Sequence, residues 1–314
     1  MNRFLATPGG AGLAAAVCWL LPQFVPLFAP LRLLMPLPLL LVALRSGVWA
    51  GFAASVVPVF TDALATGAPL VSIGVFLFLA WVPLLLTWLL LCGWKVSQSL
   101  FVGYLIAVIL LVLGMGVAGM KGVDIGPSME SLLDGVIAPI RDASVASMAK
   151  RGHADPRAVA IIQEETRHLV TFMARILPAV MIGGWFFIVC GNLLLARRLV
   201  AAESGGGLFV PEDLTAFRAP FFLVWPLIVA VVLAQFTGGN WQYFGLNLGL
   251  LLAIPSLFQG MAVIQWGMRT FKVPVWVQRI YQVFLLIWLQ FLFVVALIGL
   301  LDHWFDFRGR YIDH

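Results

Sequence analysis

Long apolar windows follow one another along this sequence, and that succession limits its fold more than any motif does. They lie at roughly 10–28, 32–44, 47–66, 69–94, 98–120, 173–197, 218–237, 242–267 and 280–301. A helix needs about 20 apolar residues to cross a bilayer. Lipid offers no partner to backbone polar groups, so each crossing segment must satisfy its own, and a helix does. Only 11% of the 314 residues are charged, against roughly 25% in a soluble domain, so most of the surface must face lipid. The expected fold is an all-α polytopic transmembrane bundle of about eight to nine spans.

The second window, 32–44, is short and carries Pro36 and Pro38, which reads as a half-helix or re-entrant piece. Pro58, Pro83, Pro178, Pro226 and Pro255 interrupt other windows. Each removes a backbone donor and kinks its helix. The start of the chain, Arg3 followed by an apolar run, mimics a signal peptide. It lacks a small-x-small cleavage site and reads as an uncleaved first helix. Lys and Arg gather in alternate short loops: Arg3, Arg45, Lys95, the Arg197–Arg198–Arg218 loop and the Arg269–Lys272–Arg279 loop. The positive-inside rule places that side in the cytoplasm. Nine spans then leave the C-terminus outside.

Residues 121–172 form the main polar insertion, an amphipathic helical segment between spans five and six. Met129, Leu132, Leu133, Val136, Ile137 and Ile140 fall on one helical face. That face lies on the membrane interface or covers a membrane cavity. Asp155-Pro156 reads as a helix start, and the apolar stripe beyond it continues into span six as one long helix. The chain therefore divides into a transmembrane half at 1–120, the insertion at 121–172 and a second transmembrane half at 173–314. Ser204-Gly205-Gly206-Gly207 reads as a flexible loop within the latter.

Several chemistries lack their signatures. The net charge of +5 sits in topogenic loops, with no basic, aromatic-interleaved stripe for nucleic acid. Cys18, Cys92 and Cys190 lie apart in apolar windows and read as fillers. Gly114-Met115-Gly116-Val117-Ala118-Gly119 formally matches a dinucleotide loop but lies inside a span, without the required strand. Glu165 and His168 stand at i, i+3 only once, where a di-iron bundle needs the pair twice. No HExxH, GxSxG or Walker loop occurs. The expectation is no enzyme, catalytic residue, metal or cofactor.

Polar groups inside spans are better candidates, since each is costly in lipid without a partner. Asp62 is an ionisable group well inside a window; Gln23, Asn192, Gln235, Asn247, Gln259, Gln265 and Gln290 are amides in or near the windows. Gln23, Asp62, Asn247 and Gln259 are the expected ligand-binding set, although the amides equally suit interhelical hydrogen bonds. Small-xxx-small patterns at Ala11/Ala15, Gly12/Ala16, Gly47/Gly51 and Gly245/Gly249 invite close helix approach, within the chain or with a partner subunit. Trp49, Trp81, Trp185, Trp241 and Trp304 fit an interfacial aromatic belt.

The last span ends in Gly299, Asp302 and Asp306-Phe307-Arg308-Gly309-Arg310. This resembles the close of the YybS-like bacterial membrane proteins of the DUF2232 class, whose members typically end in Gly, Asp and Asp-Phe-Arg-x-Arg. Pro36, Pro38, Arg45-Ser46-Gly47, Gly51 and Gly67 extend the resemblance. Through it the first half is similar to the S components of energy-coupling-factor vitamin transporters. The resemblance implies a bacterial cytoplasmic-membrane protein that binds a small solute near Gln23, Asp62 and the 65–70 loop. It also implies docking through Ala11, Gly12, Ala15 and Ala16 on a membrane T-type subunit with its ATPases. The alternative is a non-transporting scaffold or assembly partner.

Overall fold

The computed structural model describes residues 7–150, 156–203, 214–288 and 290–309. The loop at 204–207, Asp155 and Arg310 fall outside them. Among the described residues the fold is helical, with no strand. The helices are α1 Pro8–Phe24, α2 Pro36–Ser46, α3 Val48–Thr66, α4 Pro69–Phe76, α5 Val82–Leu91, α6 Val96–Met120, α7 Ile125–Lys150, α8 Pro156–Glu203, α9 Val224–Phe236, α10 Gly239–Thr270, α11 Val275–Ile287 and α12 Phe291–Phe305.

Among the described residues, five helical stretches are long and apolar enough to cross a membrane: Pro26–Ser46, Val48–Thr66, Val96–Met120, Val159–Glu203 and Gly239–Thr270. Shorter apolar helices lie at Leu79–Leu91, Phe221–Phe236 and Phe291–Phe305. Full-length helices therefore do not reach the expected count of eight to nine. The expected long helix is present as α8, whose 48 residues extend about 72 Å at 1.5 Å per residue.

The contacts divide the chain into two compact units, Met1–Ala107 with Gly183–Glu212, and Val108–Ile182 with Asp213–His314. These boundaries differ from the expected ones at 120 and 172, because α6 and α8 each run through a division.

In the first unit, Thr7 caps α1, its hydroxyl accepting from the Gly10 N–H at 3.2 Å, with Pro8 in the first turn. Ala11, Ala15, Met35, Leu39, Val42, Ala54 and Ala80 form the apolar core. The expected half-helix at 32–44 is longer. A 3-10 segment, Pro26–Leu34, runs into α2, so Pro26–Ser46 is 21 residues of helix. Pro26 and Pro36 suit their positions because each begins a segment, where a missing N–H costs little. Ahead of Pro83, a π turn at Leu77–Trp81 accommodates the interruption. Arg45 pairs with Glu203 at 2.7 Å, joining the C-terminal ends of α2 and α8.

In the second unit, α9 and α10 form a tight hairpin. A Cβ on Gly245 would stand 2.5 Å from the Ala234 backbone nitrogen and 2.7 Å from the Ala230 carbonyl oxygen. The turn before α7 is fixed to the start of α10. Asn240 Oδ1 accepts from the Ile125 N–H at 3.1 Å, and its Nδ2 donates to the Val123 carbonyl at 3.0 Å. The expected apolar face of α7 is largely open, with Leu132, Val136 and Ile140 54%, 62% and 65% exposed.

The expected ninth span is broken. The helix leaves its path at Trp288, where φ is −105° and ψ is 78°, and Phe284 and Phe291 pack across the break at 4.9 Å. No Pro or Gly marks this position, so hydropathy alone reads 280–301 as one span. The segment after the break returns to the loop before α9. Asp306 bonds Arg218 at 2.9 Å, and Arg308 donates to the carbonyls of Thr215 and Phe217 at 2.7 and 2.9 Å. The tail therefore lies on the same side as Arg218, whereas nine spans set the two on opposite sides; by the positive-inside rule the shared side is the cytoplasm. A C-terminal green fluorescent protein fusion is expected to fluoresce, and an alkaline phosphatase fusion to be inactive. The reverse pattern would contradict this topology.

Candidate solute site

The expected ligand residues separate into different roles. Asn247 repairs a backbone break. Pro178 inside α8 has no N–H and prevents regular hydrogen bonding around it. Tyr243 donates its hydroxyl to the freed Ala174 carbonyl at 2.6 Å. Asn247 Oδ1 accepts from the Ala179 N–H at 2.9 Å, and its Nδ2 donates to the carbonyls of Arg175 and Tyr243 at 2.8 and 2.9 Å. The amide is completely buried and its donors are used. The amide is thus committed to backbone groups, which in an apolar interior are costly to leave unsatisfied.

Gln259 is consumed in the same way. Its Oε1 accepts from the Ala219 N–H at 2.9 Å, just before Pro220, and its Nε2 donates to Asp302 Oδ2 at 2.9 Å. Asp302 also accepts from Arg308 at 2.7 Å and from the Phe307 N–H at 3.1 Å. Asp306 takes a left-handed conformation, φ 41°, tolerable for Asp, and this turn brings Phe307 and Arg308 back onto Asp302. Gly299 lies where α12 meets α10 backbone to backbone at Ser256 and Gly260. The C-terminal motif is thus a lock joining α10, α12 and the 214–219 segment.

The small residues of α1 are also spoken for. Ala11, Gly12, Ala15 and Ala16 are buried, and a Cβ on Gly12 would stand 2.5 Å from the Ala54 carbonyl oxygen of α3. The expected docking face is therefore covered by the chain's own α3. Gly51 packs likewise against Leu84 and Ala43. The formal glycine loop at 114–119 is continuous α-helix. Glu164 and His168 form an exposed helical pair at 2.9 Å, and no metal-holding cluster exists among the described residues.

Asp62 has a different setting. It is buried in α3, with Trp19 Nε1 donating to one oxygen at 2.8 Å and Ser72 Oγ to the other at 2.7 Å. The guanidinium of Arg32 lies over the face of the same Trp19 indole, 5.4 Å from its centroid. Trp19 and Arg32 belong to the wall of a cavity of about 190 Å³, completed by Leu33, Met35, Pro36, Leu79, Trp185, Ile188 and Val189. Asn192 ties two wall residues together, donating to the carbonyls of Leu33 and Ile188 at 2.7 and 2.8 Å. Its Oδ1 is buried without a partner. Asp62 holds a wall residue rather than lining the cavity itself. Gln23 is exposed near the end of α1 and is not part of the wall.

Two wall residues escaped sequence reasoning. Trp185 is only 7% exposed and lines the cavity, whereas Trp49, Trp81, Trp241 and Trp304 are open as an interfacial belt requires. Arg32 sits at the edge of an apolar window. The available signal was a cation and an anion, Arg32 and Asp62, in neighbouring spans.

Helices long enough to cross a bilayer, open apolar surfaces and buried amides that satisfy backbone groups within the chain define an integral membrane protein. The chain belongs to the predicted membrane protein family DUF2232, whose family model matches residues 13–303. No curated protein and no solved structure matches it.

Proposed function

We propose that the protein is a solute-binding membrane subunit of the S-component type. It sits in the bacterial cytoplasmic membrane, performs no covalent chemistry, and draws energy from a T-type membrane subunit with ATPases. The observation that carries this reading is the cavity between Trp19, Arg32 and Trp185. Its volume of about 190 Å³ is below the roughly 300 Å³ at which drug-sized pockets begin, so the solute is small. Six of its nine wall residues fall within 1–120, the stretch that carries the S-component resemblance, and three belong to α8. Its wall differs from the expected set, with Asp62 acting through Trp19.

A scaffold role is the second reading, favoured by the open apolar face of α7 at Leu132, Val136 and Ile140. A mild-detergent pull-down from the native membrane separates the two. Co-purification of a T-type protein and ATPases in fixed ratio is the expected result. Recovery of only non-ATPase membrane or assembly proteins would favour the scaffold and overturn the transporter reading.

A further inference from the structure

We infer that the occupant of the first-unit cavity is hydrocarbon in character: a small, uncharged apolar molecule or apolar chain. This rests on the solute-binding reading and adds the chemical class.

The cavity wall is almost wholly apolar, with Leu33, Met35, Leu79, Ile188 and Val189 supplying aliphatic surface. Arg32 is the charged residue of the wall, but it is exposed and its guanidinium lies over the Trp19 ring. Its stem rather than its head borders the cavity. Polar groups beside the cavity are turned to the protein. Trp19 Nε1 donates to Asp62, and Asn192 Nδ2 donates to the Leu33 and Ile188 carbonyls. Neither Asp62 nor Asn192 belongs to the wall. A polar solute entering here would give up hydrogen bonds to water and find none in return. An apolar one gains by leaving water and sacrifices no hydrogen bond. An apolar cavity of about 150 Å³ stays dry and takes up benzene; at about 190 Å³ this one has room for a group of that size. The wall runs from deeply buried residues, Met35 and Val189 at 1% exposure, to the surface at Leu33, 51% exposed. That places the opening beside the 3-10 segment.

The same chemistry is found in a free hydrocarbon and in a lipid acyl chain, and the experiment separates them. The full chain is placed in phosphatidylcholine nanodiscs with a short alkyl diazirine, with its carboxylate analogue, or with a phosphatidylcholine bearing the diazirine at a chain end. After irradiation, labelling at Met35 and Val189, which are too buried to meet bulk lipid, is read by mass spectrometry. It is normalised to labelling at the exposed Phe60 of α3. The alkyl probe is expected to label both buried residues saturably, about ten-fold or more above the carboxylate. Leu33→Trp, at the opening, should cut that labelling several-fold, and Leu33→Ala should not. Both substitutions fall on a half-exposed residue, and an unchanged unfolding temperature controls for folding.

Labelling by the carboxylate as strong as by the alkyl probe would overturn the apolar assignment while leaving the solute-binding reading in place. Labelling of Met35 and Val189 by the lipid-borne probe alone would uphold the hydrocarbon assignment with the bilayer as its source, and the free-solute reading of this cavity would fail. No saturable labelling of these residues by any probe, or labelling indifferent to Leu33→Trp, would overturn the inference.

Discussion

Gly299→Leu is expected to prevent recovery of folded protein from the membrane. At this position α12 meets α10 through backbone alone. Even a single Cβ would overlap the Ser256 carbonyl oxygen and stand 2.5 Å from the Gly260 nitrogen, and a Cβ on Gly260 would in turn overlap the Val295 carbonyl. A flexible side chain can turn aside, but helix backbone cannot. Overpacking in a tolerant core costs about 1–3 kcal/mol, and this site offers no route of relief. Inside lipid the loss is heavier, because close packing itself holds membrane helices together. Gly299→Ala should lower the unfolding temperature, and Gly299→Leu should yield aggregate or degraded chain. Gly116→Ala is the control, since nothing lies within 4 Å of a Cβ there, and it should behave as wild type. Equal yields and unfolding temperatures for Gly299→Leu and wild type would contradict the packing.

Asp302→Ala is the second large effect. It leaves Arg308 buried without its carboxylate, and removes the acceptor used by Gln259 and the Phe307 N–H. Breaking a buried ion pair from one side typically costs about 3–5 kcal/mol. Arg308→Met should cost a similar amount, because it strands Asp302 and releases the Thr215 and Phe217 carbonyls. The double variant Asp302→Ala/Arg308→Met should lose clearly less than the sum, since no lone charge remains buried. Unfolding in detergent measures all four proteins as a cycle. A coupling of about 2 kcal/mol or more is expected for a contacting buried pair; additive losses would remove the pair from the account of this lock.

The bilayer made much of the architecture legible before any coordinates. It requires long apolar helices, and most windows became helices near their expected bounds. The unbroken α8 was readable because the apolar stripe beyond Pro156 keeps helical period into the next window. Roles that depend on a distant partner were not readable. Asn247 is 68 residues from the Ala179 N–H it receives, and nothing local distinguishes an amide that mends a proline break from one that binds a solute. Ala11 to Ala16 announced a close helix approach without naming the neighbour, which is α3. The break at Trp288 left no Pro or Gly signal. Arg32 and Trp185 acquire meaning only when the fold brings them to one cavity, because a lone arginine at a window edge reads as topogenic charge and a lone tryptophan as part of an interfacial belt.

The most direct test of the solute-binding claim is an experimental density map of the protein purified in mild detergent from its native membrane. The account predicts non-protein density enclosed by Trp19, Arg32 and Trp185, with Asp62 bonded to the Trp19 N–H, and no ligand at Asn247 or Gln259. A cavity closed by its own side chains, or a bound molecule at Asn247 or Gln259 instead, would contradict it.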